Sequence, residues 1–106
     1  MNWTLWTALG SFFAALGVGL GAFGAHALKG RLSIEDLAIF EVGVRYQMYH
    51  ALALLAVGFV ASKMDSSLIK IAGWAFGLLV GVNMVLGGVS LIAMGLHASE
   101  NEPDRL

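Results

Sequence analysis

The sequence predicts an all-α integral membrane bundle of about three transmembrane helices, with an interfacial helical extension before the second. Three observations predict it. The chain is 58% hydrophobic and only 12% charged, whereas soluble domains run about 45–50% apolar and about 25% charged. Its mean hydropathy is +0.81, and 106 residues of this composition cannot cover a small domain with polar surface, because the surface-to-volume ratio is high. Three apolar stretches, over 5–25, 42–61 and 71–96, are each long enough to cross a hydrocarbon core of about 30 Å at about 1.5 Å per residue. One domain is all the length permits, so the organisation expected is a transmembrane domain over 1–97 and a polar tail over 98–106.

The first stretch, Leu5 to Ala25, carries no charge, and Trp3 and Trp6 stand at its start, where an indole favours the headgroup level. Ala25-His26-Ala27 resembles a small-x-small signal cleavage site. No Lys or Arg precedes the apolar run, however, and the run is longer than a usual signal core, so the segment is read as a retained span. The connection that follows, His26–Glu41, contains Lys29, Arg31, Glu35 and Asp36. Ser33 followed by Asp36 marks a helix start, the hydroxyl capping a free amide and the acid favoured by the helix dipole. From Ile34 one helix can run to about Ser62, roughly 43 Å by rise per residue. Its first turns must then protrude or lie in the interface, with Leu37, Phe40 and Val44 facing lipid or bundle. The third stretch, Ile71 to Leu96, has only Trp74, Asn83 and Ser90 for polar atoms. Residues 62–70 read as a polar turn, and the tail from Ala98, which holds the only proline, Pro103, as disordered.

Composition excludes several chemistries. A net charge of −1 offers no basic face, so nucleic acid is not an expected partner. There are no cysteines, hence no disulfides, thiolate metal sites or cysteine nucleophiles. Alternation of three spans places His26, Glu41, Arg45, His50 and His97 on one membrane face, and the N-terminus, Lys63, Asp65 and Lys70 on the other. Lys29, Arg31, Arg45 and Arg105 against Lys63 and Lys70 make the histidine face cytoplasmic by the positive-inside bias.

Small residues give the packing signal. Gly73, Gly77 and Gly81 line one stripe of the third helix, and Gly17, Gly21 and Ala25 one of the first. In lipid, helices associate by close backbone approach, which such stripes permit. The stripes can satisfy each other within the bundle or face another chain. Asn83, mid-helix, suits an interhelical hydrogen bond. A polar cluster occupies the start of the second span. Glu41 and Arg45 are four apart with the acid first, as are Tyr46 and His50, and Arg45 and Tyr49. Snorkelling and interfacial anchoring account for these residues plainly. A ligand or lipid-headgroup site at His26, Glu41, Arg45, Tyr46, Gln47, Tyr49 and His50 is the functional alternative, with proton or metal chemistry third. No His-x3-His or Glu-x2-His pair is present, no serine sits in a nucleophile elbow, and no glycine-rich turn precedes a lysine. No catalytic residue, metal ligand or cofactor is assigned.

Two segments carry a resemblance. Gly-Leu-Gly-Ala-Phe-Gly-Ala-His-Ala-Leu over 19–28 and Phe-Glu-Val-Gly-Val-Arg-Tyr-Gln-Met-Tyr-His-Ala-Leu-Ala-Leu-Leu over 40–55 closely resemble the hallmark stretches of domain of unknown function family 423. That family comprises the YgdD/YwdK-like and transmembrane-protein-256-like small membrane proteins. Ala72-Gly-Trp74 resembles the start of its third helix. The resemblance implies a multi-spanning protein of the bacterial inner membrane or a related organelle membrane, and it supplies no reaction, substrate or cofactor. Gly21, Gly24, His26, Glu41, Arg45, Tyr46, Gln47, Tyr49 and His50 stand at its motif positions. It also implies a Ser-Gly-Ser-Leu-Tyr run in the third helix and a fourth helix opening on Ile-Thr-Pro-Gly-Gly. Neither occurs here: residues 85–92 read Val-Leu-Gly-Gly-Val-Ser-Leu-Ile, and one bundle face is expected to be open. The function expected is non-catalytic: an accessory or structural subunit docking through glycine-lined helices into a larger membrane complex, or self-associating. The alternative is a stand-alone transporter or a lipid-, quinone- or ligand-binding protein centred on His26, Arg45, Tyr49 and His50.

Overall fold

A computed structural model of the chain describes residues 2–101. Three helices follow one another: α1 over Asn2–Phe23, α2 over Ile34–Lys63 and α3 over Ser67–Asn101, with a π-helical turn, Gly24–Leu28, prolonging α1. All three are long and apolar enough to cross a membrane. The molecule is a rod of 56 × 20 × 18 Å, longer than the ~40–45 Å of a bilayer with its headgroups.

Local chemistry sets the ends. Ser33 Oγ accepts a hydrogen bond from Asp36 N at 3.1 Å, and Glu35 and Asp36 occupy the first turn of α2, as the capping pattern predicts. Gly30, at φ 86°, supplies the left-handed residue that turns the chain between α1 and α2. The second connection is tighter than the sequence suggests. Met64 breaks α2 with an extended backbone, and Ser66 Oγ accepts from Leu68 N at 3.2 Å to open the next helix. Ser67 and Lys70, expected in a turn, are therefore helical. At the other end α3 runs through Ala98–Asn101, residues expected in the tail; four polar or small residues continue a helix that apolar turns have already nucleated. Residues 102–106 lie outside the described part.

The helices alternate in direction and α2 is central. Of the most apolar stretch of each helix, 28% is buried in α2, 17% in α1 and 6% in α3, so α3 is the peripheral element. Trp6, Leu54, Val57 and Val80 form the core, with Leu9, Phe13, Ile69 and Phe76 packed around them. This core lies toward the end of the rod that carries the α2–α3 connection. There Trp6 spreads over Gly73, and its ring meets Trp74 edge-on at 5.2 Å.

The α1–α2 seam is built on glycines seven residues apart. A Cβ at Gly10 would sit 2.9 Å from Ala51 O and Leu55 N, one at Gly17 3.2 Å from Met48 Cε, and one at Gly24 2.7 Å from Phe40 Cε1. Gly58, on the opposing helix, closes on Thr7 and on the Trp3 carbonyl. A seven-residue repeat keeps one face turned to the neighbour as the helices supercoil.

Candidate functional site

The polar residues singled out in the sequence separate into three groups along the rod. His26 is exposed on the π-helical turn, at the level where Gly24 abuts Phe40. His50 lies ten residues further along α2 than Phe40, about 15 Å by helical rise. The two histidines therefore do not share a site. Alternation of spans assigns both histidines to one side of the membrane, but it does not bring their side chains to one level of the rod.

His50 is half-buried. Its Nδ1 donates to the Tyr46 carbonyl at 2.7 Å, a bond that fixes the proton on Nδ1, because a carbonyl oxygen can only accept. Its ring faces Phe76 at 6.0 Å. Tyr46 and Tyr49 are exposed and stack edge-to-face at 5.7 Å, a pair suited to the lipid boundary. Glu41 and Arg45 are exposed, and they form no ion pair with each other; Lys70–Asp65 at 3.8 Å is the ion pair found among the described residues. Their spacing permits a pair, but an exposed pair gains too little to hold two long side chains in place. Among the described residues no three His, Asp or Glu side chains converge as a metal site.

Gln47 is different. It is 1% exposed, and its Nε2 donates to the Phe13 carbonyl at 2.9 Å, tying α2 to α1. Asn83 Nδ2 donates to the Gly43 carbonyl at 3.0 Å, tying α3 to α2. Each amide hooks a neighbouring backbone from within the membrane, where such bonds contribute about 0.6–2 kcal/mol.

The glycines divide by what they meet. Gly17 and Gly73 are buried under Met48 and Trp6, whereas Gly21 has only Val44 Cγ1 at 3.7 Å. Gly77 and Gly81 meet nothing within 4 Å, and the same holds for Gly88 and Gly95. At 3.6 residues per turn, Gly77, Gly81, Gly88 and Gly95 fall within about 40° around the axis of α3. The stripe read from the four-residue spacing of Gly73, Gly77 and Gly81 thus serves the bundle only at Gly73. From Gly77 onward it is an open groove flanked by Leu78, Val82 and Val85. Gly10, Gly24 and Gly58 are the close-contact glycines that the four-residue search misses; the seven-residue spacing of Gly10, Gly17 and Gly24 is the signal that finds the first two, and no spacing marks Gly58.

Three alternating membrane-crossing helices, a glycine-packed seam and intramembrane amides define a small multi-pass membrane protein. Residues 20–101 match the model of a family described as a protein of unknown function, DUF423, and the chain belongs to that family. It is 39% identical over 87 residues to the UPF0382 membrane protein YwdK of Bacillus subtilis, covering 81% of this chain and 69% of that one. A UPF0382 membrane protein of Staphylococcus haemolyticus is 40% identical over 90 residues, covering 85% and 71%. One of Staphylococcus aureus is 47% identical over 70 residues, covering 66% and 57%. No solved structure matches. With bacterial relatives named as membrane proteins and three apolar spans, the chain is a multi-pass protein of a bacterial-type membrane.

Proposed function

We propose that this protein is a non-catalytic membrane subunit that docks into a larger membrane complex along the open glycine face of α3. One observation carries the reading: only 6% of the most apolar stretch of α3 is buried, while four of its glycines form one stripe against open space. Glycine inside a helix costs about 1 kcal/mol relative to alanine. Within this chain that cost is offset at Gly73, where a tryptophan fills the space, but not along the open stripe. A second transmembrane helix laid there would gain the backbone approach and van der Waals contact that drive association in lipid.

The test is native mass spectrometry of the particle extracted in mild detergent, comparing the wild-type chain with Gly81→Leu and Gly88→Leu. Gly19→Leu, on the open face of α1, serves as the control. The docking reading expects co-extracted polypeptides with the wild type and Gly19→Leu, and their loss with the two α3 variants. Unchanged composition in both α3 variants would end it.

A further inference from the structure

α2, like α3, carries an unpartnered face. Val42, Tyr46, Tyr49, Ala53, Ala56 and Val60 alternate four and three residues apart, and by helical turn they fall within about 80° around the axis. Gln47, Ala51, Leu54 and Gly58, which pack α2 against α1, are centred about 150° away. Val42, Tyr46, Tyr49 and Val60 are exposed, and so is Ala56. The middle of this face is one wall of an apolar groove of about 440 Å³, and Leu68, Ile69, Ala72 and Phe76 of α3 form the other. No residue lines both this groove and the glycine groove. Ala72 and Gly81 stand on opposite sides of α3, about 180° apart by helical turn.

Apolarity alone selects no partner in lipid; two polar residues at the flanks of this face do. Alternation by four and three is a heptad seam, with Tyr46, Ala53 and Val60 at its a positions and Val42, Tyr49 and Ala56 at d. Arg45 then falls at g and His50 at e, both within the apolar stretch 42–61. His50 Nδ1 donates to the Tyr46 carbonyl, so Nε2 of the neutral ring can only accept. No described group donates to it. Nor is it enclosed, since Trp6 Nε1 is the enclosed side-chain polar atom without a partner among the described residues. The exposed Arg45 can only donate, and no described acceptor takes its N–H groups. A donor and an acceptor left open within a span are costly until something matches them.

We infer that the occupant of this face is a second copy of the chain, the two α2 helices packing in parallel about a twofold axis normal to the membrane. In a parallel seam each g residue faces the e residue of the following heptad in the partner helix, and Arg45 and His50 stand in that relation. Arg45 of each copy therefore donates to the partner's His50, and the twofold axis makes the bond twice. The match is self-contained, because each copy supplies the group that the other lacks. A wholly apolar helix laid in the same groove would leave both groups open. The pairing neither needs nor blocks docking on the glycine face of α3.

Disulfide mapping tests this directly, because the chain has no cysteine. Four variants are oxidised with copper phenanthroline in dilute proteoliposomes: Ala53→Cys and Ala56→Cys on the seam, Phe12→Cys on the exposed side of α1, and Val82→Cys beside the glycine groove. Ala53→Cys is expected to give a covalent dimer, while Phe12→Cys and Val82→Cys stay monomeric. In the Ala53→Cys background, Arg45→Leu and His50→Leu should each slow cross-linking about tenfold, the effect of losing two hydrogen bonds in a membrane. Combining them should slow it no further, because either change already removes both bonds. Circular dichroism checks that helicity is kept. Failure of both seam cysteines to cross-link, equal cross-linking at Phe12→Cys, or additive losses in the combined variant would each overturn the pairing. Cross-linking at Val82→Cys alone would overturn it too, by moving self-association to the glycine face.

Discussion

Gly10 and Gln47 show how single residues hold two helices together where hydrophobicity cannot. In lipid an apolar side chain gains nothing by leaving the tails for a neighbouring helix, so α1 and α2 must be joined by close contact and by hydrogen bonds. A side chain at Gly10 would strike the backbone of Ala51 and Leu55, and backbone cannot swing aside. Gly10→Leu is therefore expected to destabilise the α1–α2 seam by about 1–3 kcal/mol, the range for overpacking, read as a lowered midpoint of thermal aggregation in detergent. Gly19→Leu, which points into open space, should leave that midpoint unchanged. Gln47→Leu keeps the volume and loses only the bond to Phe13, so a smaller loss of about 0.6–2 kcal/mol is expected. Of these two residues the sequence displays the glutamine plainly, as a polar side chain inside an apolar run. Its partner is a backbone atom, and no side-chain pattern reveals which one.

At the scale of elements, the three helices take unequal parts. α2 is covered on two sides, α1 along one seam, and α3 along its α2 face, held by Asn83 at mid-length and buried most deeply at its Trp6-facing end. Glycine spacing was legible, but its meaning was not: Gly73 and Gly77 stand four apart on the same stripe, and one lies beneath an indole while the other faces nothing. The difference is made by Trp6, a residue from the first turns of α1, far from Gly73 in the chain. The π-helical turn is a second feature that no periodicity announced. It carries His26 and brings Gly24 onto Phe40, and such turns recur at functional places in helices. Gly24→Val should push Phe40 away and loosen this corner. The expected outcome is faster backbone amide exchange across residues 24–32, with α3 unaffected; unaltered exchange would show the corner to be held by Leu28 and Leu32 instead.

For the whole molecule, alternating spans place the α1–α2 connection on one side of the membrane and the α2–α3 connection on the other. The chain contains no cysteine, so single introduced thiols report topology without background. With the face that carries Lys29, Arg31, Arg45 and Arg105, against Lys63 and Lys70 on the other, turned to the cytoplasm, Asp65→Cys in intact cells should react with a membrane-impermeant maleimide. Lys29→Cys should react only after permeabilisation. The reverse pattern would invert the molecule while leaving its fold as described.

What the sequence determined by itself is the class of protein: apolar runs of bilayer length, a serine-capped second helix with an acidic first turn, and the motif segments of a membrane family. These features are local, because length, hydropathy and capping act within one segment and its solvent. The tertiary structure alone decided which glycines are filled, that His26 and His50 lie at different levels of the rod, and which neighbouring backbones the amides of Gln47 and Asn83 hold. Those outcomes depend on the rotation and register of each helix against its neighbours. In lipid, where uniform hydrophobicity distinguishes no inward face, only the packed contacts themselves set that register.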